Sequence, residues 1–202
     1  MRAWMFFTSN IYIYQQKRQE AGTRLSSVPF TGCIQGGLHE GKTITVTGRV
    51  LPNAKRFHVN LQCGSKEKPD VALHFNPRYE SKHHVVCNTM YNSKWGPEEL
   101  KYYIPMTQEE QFTLMFLVNQ NSYSLRRLLS LILRLHIFVL LPCAIDFLSL
   151  LNPVSSQVIV NGAHFMEYLH RMSITQVDTI FVYGGVEIES IDFSNSEGSE
   201  DS

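Results

Sequence analysis

The sequence predicts an all-β protein, an antiparallel sandwich or barrel, and three observations carry that expectation. Short runs rich in Val, Ile, Phe and Thr recur over residues 28–123 and 158–193, separated by Gly, Pro and Asn. Several of these runs alternate polar and apolar residues, the two-residue period of a strand with one packed face. No long helical period competes with them before residue 125.

The elements follow in order along the chain. Residues 1–27 are mixed, with Lys17 and Arg18 adjacent, and read as a disordered extension ahead of a domain spanning 28–193. Their apolar stretches, 4–7 and 11–14, are split by Thr8, Ser9 and Asn10, whereas a secretory signal needs one continuous apolar run. The sequence has no N-x-Ser/Thr acceptor, which fits a protein that bypasses the secretory route. In 56–62 the apolar Phe57, Val59 and Leu61 alternate with Arg56, His58, Asn60 and Gln62. The run His74-Phe75-Asn76-Pro77-Arg78 does the same, although Pro77 predicts a local irregularity because proline has no N–H for a ladder. Val85-Val86-Cys87-Asn88-Thr89 is a second short strand, and 112–118 is so apolar that it reads as a strand covered on both sides. Asn161-Gly162 between two apolar runs predicts a tight hairpin over 158–165. Runs 177–183 and 186–193 flank Gly184-Gly185, and the acidic, Ser-rich 194–202 reads as a disordered tail.

Bulk properties bound the function. A chain of 202 residues suffices for one sizeable domain. Lys+Arg and Asp+Glu balance at 18 each, so the basic footprint of a nucleic-acid binder is missing. Cys33, Cys63, Cys87 and Cys143 are widely spaced, without a C-x-x-C pair, and read as free thiols in a reducing compartment.

One constellation stands out. His74, Asn76 and Arg78 at i, i+2, i+4 project from one face of a strand. Asn88 follows ten residues later, and then Trp95-Gly96-Pro97-Glu98-Glu99. An imidazole, two amides, a guanidinium, a carboxylate and an indole suit a sugar, whose hydroxyls donate and accept and whose C–H patch fits an indole face. Hydrogen bonds to charged groups contribute roughly 1.5–3 kcal/mol. A shallow site with a few of them binds in the mM to μM range, roughly −4 to −8 kcal/mol. Taken singly, each residue has a plainer reading: a sheet-surface histidine, turn asparagines, a core tryptophan, an Arg78–Glu98 surface ion pair. It is their conjunction within 25 residues that points to a site.

These motifs resemble the galectin signature, and the flanks agree: Val28-Pro29-Phe30, Gly36-Gly37-Leu38, Val160-Asn161-Gly162 and Tyr168-Leu169-His170-Arg171. The similarity covers roughly 28–124 and 158–193 and is greatest to the N-terminal domains of tandem-repeat galectins. It implies a two-sheet jelly-roll sandwich that binds β-galactosides on glycoproteins or glycolipids, without catalysis, metal or cofactor. His74, Asn76 and Arg78 would hold the axial 4-hydroxyl of galactose, Asn88 and Glu98 its 6-hydroxyl, and Trp95 its apolar face. Glu98 would orient Arg78, while Arg56 and His58 on the neighbouring strand would extend the groove. The resemblance further implies cytosolic synthesis with unconventional secretion, contact with membranes only through glycans, and scope for a homo-oligomer.

Two departures qualify the resemblance. Leu100 stands where the family usually carries an arginine that grips Glu98 and the second sugar. Its loss would cost roughly 1.5–3 kcal/mol and alter preference for the reducing-side sugar. Residues 125–157 interrupt the domain with a Leu-rich apolar stretch. Residues 128–151 have the length of a membrane span, but Arg134, His136, Pro142 and Asp146 interrupt them. An amphipathic surface helix is the better structural reading, and a translated retained intron or gene-model error the preferred one. The alternative function is a galectin-fold scaffold or protein-interaction module with weakened or lost sugar binding. A metal enzyme through His74, His83 and His84 is disfavoured, because adjacent His83 and His84 point to opposite strand faces.

Overall fold

The computed structural model describes residues 28–80, 82–120 and 154–195. Its strands are β1 (Phe30–Cys33), β2 (Lys42–Val50), β3 (Phe57–Gln62), β4 (Val71–Arg78), β5 (His84–Tyr91), β6 (Lys94–Trp95), β7 (Glu99–Lys101), β8 (Gln111–Gln120), β9 (Val154–Val160), β10 (Ala163–Leu169), β11 (Thr179–Gly184) and β12 (Val186–Asn195). Among the described residues, one 3₁₀ turn, Ile174–Gln176, precedes β11. All strand pairs are antiparallel. One sheet runs β1-β11-β3-β4-β5-β6 with β7 also on β5, and the other runs β10-β9-β8-β2-β12. The expected all-β, two-sheet sandwich is therefore the architecture of the described residues.

Alternation builds the core. Phe57, Val59, Leu61, Leu73 and Phe75 of the first sheet are fully buried, as are Ile44, Val46, Leu114 and Phe116 of the second. Rings interlock across the gap, with Phe75 edge-on to Phe116 at 6.0 Å and Phe57 stacked on Phe112 at 5.6 Å. Phe165 meets Phe75 edge-on from β10. The Asn161-Gly162 hairpin forms as expected, both residues taking the positive φ that its two-residue turn requires (50° and 78°).

Three expectations are corrected. Strand β8 is covered on one side: Phe112, Leu114, Phe116 and Val118 are buried, while Thr113, Met115 and Leu117 between them are half-buried on the opposite face. Met115 lies flanked by Thr45 and Ile159 of the neighbouring strands in the same sheet. Residues 154–157, read from the sequence as the end of the insertion, belong to β9 and pair with 117–120 of β8. Ser155 and Ser156 are fully buried there, Ser155 donating to Glu167 at 2.6 Å. The ladder and these bonds hold a segment that Ser-Ser-Gln would not favour as a strand. Ser194 and Asn195, read from the sequence as the start of the disordered tail, instead end β12, paired with Thr43 and Lys42. The extension 1–27, the helix or span expected between 128 and 151, and the rest of the tail, 196–202, lie outside the described residues.

Candidate functional site

Phe75 and Leu73 anchor β4 in the core, so His74, Asn76 and Arg78 must face outward. The irregularity expected at Pro77 falls on the β3 side. There the ladder stops at Val59↔Phe75 and returns only as an isolated bridge, Arg56↔Arg78. The Phe57 carbonyl, opposite a residue without N–H, accepts instead from Nδ2 of Asn76. Oδ1 of Asn76 then accepts from Nε of Arg78 at 2.8 Å, and Nη2 of Arg78 reaches Oε1 of Glu98 at 3.3 Å. Proline thus creates the vacancy that fixes Asn76, and Asn76 aims the guanidinium.

His74 is held from the other side. Its Nδ1 lies 2.7 Å from Oδ1 of Asn60, Nδ2 of Asn60 is 3.5 Å from Oε1 of Gln62, and Nε2 of Gln62 donates to the Gly64 carbonyl at 2.9 Å. Read outward from that carbonyl, the amide orientations leave Nδ1 of His74 as donor and Nε2 as acceptor. Burial, reinforced by His58 and Arg78, pushes the ring's pKa down to about 3, and burial with Arg56 lowers His58 to about 4. Both rings are neutral at physiological pH.

A tight turn with Asn92 and Ser93 at positive φ (50° and 60°) joins β5 to β6 and projects Trp95. The indole is 51% exposed and its ring centroid lies 4.9 Å from that of His74. Asn88 is buried: Oδ1 accepts from the Thr89 N–H at 2.8 Å, and Nδ2 donates to the Gly96 carbonyl at 2.9 Å.

All eight residues singled out in the sequence, Arg56, His58, His74, Asn76, Arg78, Asn88, Trp95 and Glu98, line one open groove of about 550 Å³. A hollow of about 350 Å³ continues it past His58, His74 and Trp95 toward Asn60, Gln62 and Lys66. Among the described residues, no three His, Cys, Asp or Glu side chains group as a metal site, and no helix is long and apolar enough to cross a membrane.

The galactoside-binding lectin family model matches residues 29–126 and 146–193. The chain belongs to the galectin family. It is 31% identical to rat galectin-8 over 83% of its length and 33% identical to rat galectin-4 over 83%. It spans only 43% and 41% of those relatives. Its fold resembles a human galectin-16 variant (TM-score 0.64, 20% identity, 86% of this chain and 100% of that one) and sheep galectin-11 (TM-score 0.60, 19% identity, 82% and 97%).

The galectin groove also contains residues that the sequence reading did not assign. Tyr183, 52% exposed, and Phe181 each lie 5.7 Å from His58, which lies 5.0 Å from His74. A file of rings therefore crosses the sheet from β11 to Trp95. The alternation in 179–183 was the available signal, since it puts Phe181 and Tyr183 on the wet face. Asn60 and Gln62 were visible as polar strand positions, but their relay to His74 is a tertiary fact. Leu100, which the resemblance sets against an arginine, is 40% exposed and pairs with Val86.

Proposed function

We propose that this chain is a non-catalytic lectin for β-galactosides carried on glycoproteins or glycolipids, and that it approaches membranes only through those glycans. The observation that carries this reading is an exposed indole beside polar groups that are each already fixed on one side. Neutral His74 has Nε2 left to accept. Arg78 can only donate, and Asn76 keeps one N–H beyond its bond to Phe57. An axial hydroxyl between them donates to His74 and accepts from Arg78 and Asn76. Asn88 has one N–H to spare and Glu98 accepts, a matched pair for a primary hydroxyl. The sugar's C–H face then covers Trp95. Because these groups are oriented before ligand arrives, little ordering cost opposes binding.

The exposed Leu100 favours a second reading, a scaffold with weakened sugar binding, because it removes one cationic donor from the groove rim. A lactose column separates the two. Retention of the folded chain, competed by free lactose and indifferent to EDTA, supports the lectin; passage straight through supports the scaffold.

A further inference from the structure

We infer that Arg171, which lies outside the groove, is the positioning residue that aims Asn88 and Glu98 at the galactose 6-hydroxyl. The inference rests on the lectin reading for its ligand, and on geometry for its mechanism.

Arg171 follows β10 and so belongs to the opposite sheet's side of the chain. Its guanidinium reaches across to the β6–β7 turn. Nη1 donates to the Pro97 carbonyl at 2.6 Å and to Oδ1 of Asn88 at 3.2 Å, and Nη2 donates to Oε1 of Glu99 at 2.6 Å. The group sits over the Tyr168 ring, 5.3 Å from its centroid. Tyr168 is itself fully buried and bonded through its hydroxyl to Thr89 at 2.7 Å. The platform under the guanidinium is therefore part of the core. Gly96 permits the approach: a Cβ there would stand 3.0 Å from Nη1 of Arg171 and 3.3 Å from Oδ1 of Asn88.

The consequence lies in what each bond leaves free. Glu98 is held from the groove side by Arg78. Its neighbours on both sides, Pro97 and Glu99, are held from the far side by Arg171. The same guanidinium faces Oδ1 of Asn88, which keeps that oxygen turned away and presents Nδ2 as a donor. With Leu100 at the rim, the turn receives its second cation from a segment more than 70 residues away in sequence. Lysine could not substitute fully, because a single ammonium lacks the planar fork that spans a carbonyl and a carboxylate.

The test compares wild type with Arg171→Met and Arg171→Lys by calorimetry against methyl β-galactoside and its 6-deoxy analogue, methyl β-D-fucoside. A role through Asn88 and Glu98 predicts that Arg171→Met lowers affinity for the galactoside about tenfold, the scale of one good hydrogen bond. The fucoside's affinity should stay nearly constant, and Arg171→Lys should recover part of the difference. Glu99→Gln, on the exposed end of the same ion pair, should show the same selective loss more weakly. Equal losses for both sugars in a folded variant would overturn the inference. Amide exchange in the sugar-free protein gives an independent check. The Gly96 N–H, bonded to the Thr89 carbonyl at 2.9 Å, should exchange faster in Arg171→Met while Val59 and Leu114 stay protected. Unchanged Gly96 exchange sinks the positional claim even if the sugars bind. Wild type that binds neither sugar while Gly96 responds sinks the lectin reading alone.

Discussion

On β4 the residues that face out of the sandwich are His74, Asn76 and Arg78; on β2, in the other sheet, they are Thr43, Thr45 and Thr47. Both strands alternate, and both pack their other face into the same core. What differs is commitment. Each polar group on β4 is bonded to a partner that fixes its direction, and Asn76 is only 3% exposed. On β2, Thr47 meets Ser190 at 2.8 Å, but the threonines are half-exposed and otherwise uncommitted among the described residues. Alternation makes a face; a bonded network turns that face into a site.

The largest expected effect follows from removing the platform that this network surrounds. Trp95→Ala should abolish lactose-column retention, a loss of about a hundredfold, because an aromatic surface of this size contributes roughly 2–3 kcal/mol when covered. Its half-exposed position predicts little change in melting temperature. Met115→Ala, the matching truncation on the opposite sheet's outer face, should leave retention intact. Normal retention of folded Trp95→Ala would erase the distinction between the faces.

Asn76→Ala comes next. It strips the Phe57 carbonyl and Nε of Arg78 of their partner together, so stability should fall by about 1–3 kcal/mol in denaturant melts. Galactoside affinity should fall at least about tenfold, since Arg78 loses its aim. A variant that loses affinity but no stability would mean that Asn76 is merely a contact and not the pivot described above.

Acid sharpens the comparison from another direction. Burial, with His58 and Arg78, lowers His74 to about 3; burial with Arg56 lowers His58 to about 4; burial lowers His170, beside Ser156, to about 4. The fold binds these rings neutral while the unfolded chain protonates them near pH 6.5, so their contribution is complete above 6.5. As pH falls from 6.5 toward 4, each ring removes at most about 1.4 kcal/mol of stability per unit, and His58, the most solvated, less. Thermal melts should therefore drop steadily from pH 7 to 5. Sugar affinity of the folded protein should hold over the same range, because the His74 ring stays neutral and keeps an acceptor nitrogen. Affinity that titrates near pH 6.5 would show that His74 is exposed to protonation.

Much of this was legible in the sequence, for a physical reason. Strand faces are set by a local period, so the outward placement of His74, Asn76, Arg78, Arg56 and His58 follows from their neighbours. The Asn92-Ser93 turn and the two- and three-residue strands β6 and β7 were not legible, because segments so short have no period to read. Strand β9 begins four residues early because a ladder partner and buried hydroxyl bonds outweigh the weak propensity of Ser155 and Ser156. Arg171 could be seen only as a basic residue in a flanking motif. Its partners lie 72 to 83 residues away, and nothing local announces them.

The smallest effect is the most pointed control. Thr45 lies on the outer face of β2, level with Met115 of β8 and Asp192 of β12, and its hydroxyl has no hydrogen-bond partner among the described residues. Thr45→Val exchanges that hydroxyl for a methyl on the same β-branched frame, so the strand keeps its rotamer and its fit to the pleat. Stability should move by no more than about 0.5 kcal/mol in either direction, and lactose affinity not at all. Asn76 and Thr45 are both polar, both on outward strand positions and both flanked by the same core. If denaturant melts show Thr45→Val costing more than about 1 kcal/mol, the second sheet's face also holds a committed network. The contrast that singles out the β4 face would then have to rest on Trp95 alone.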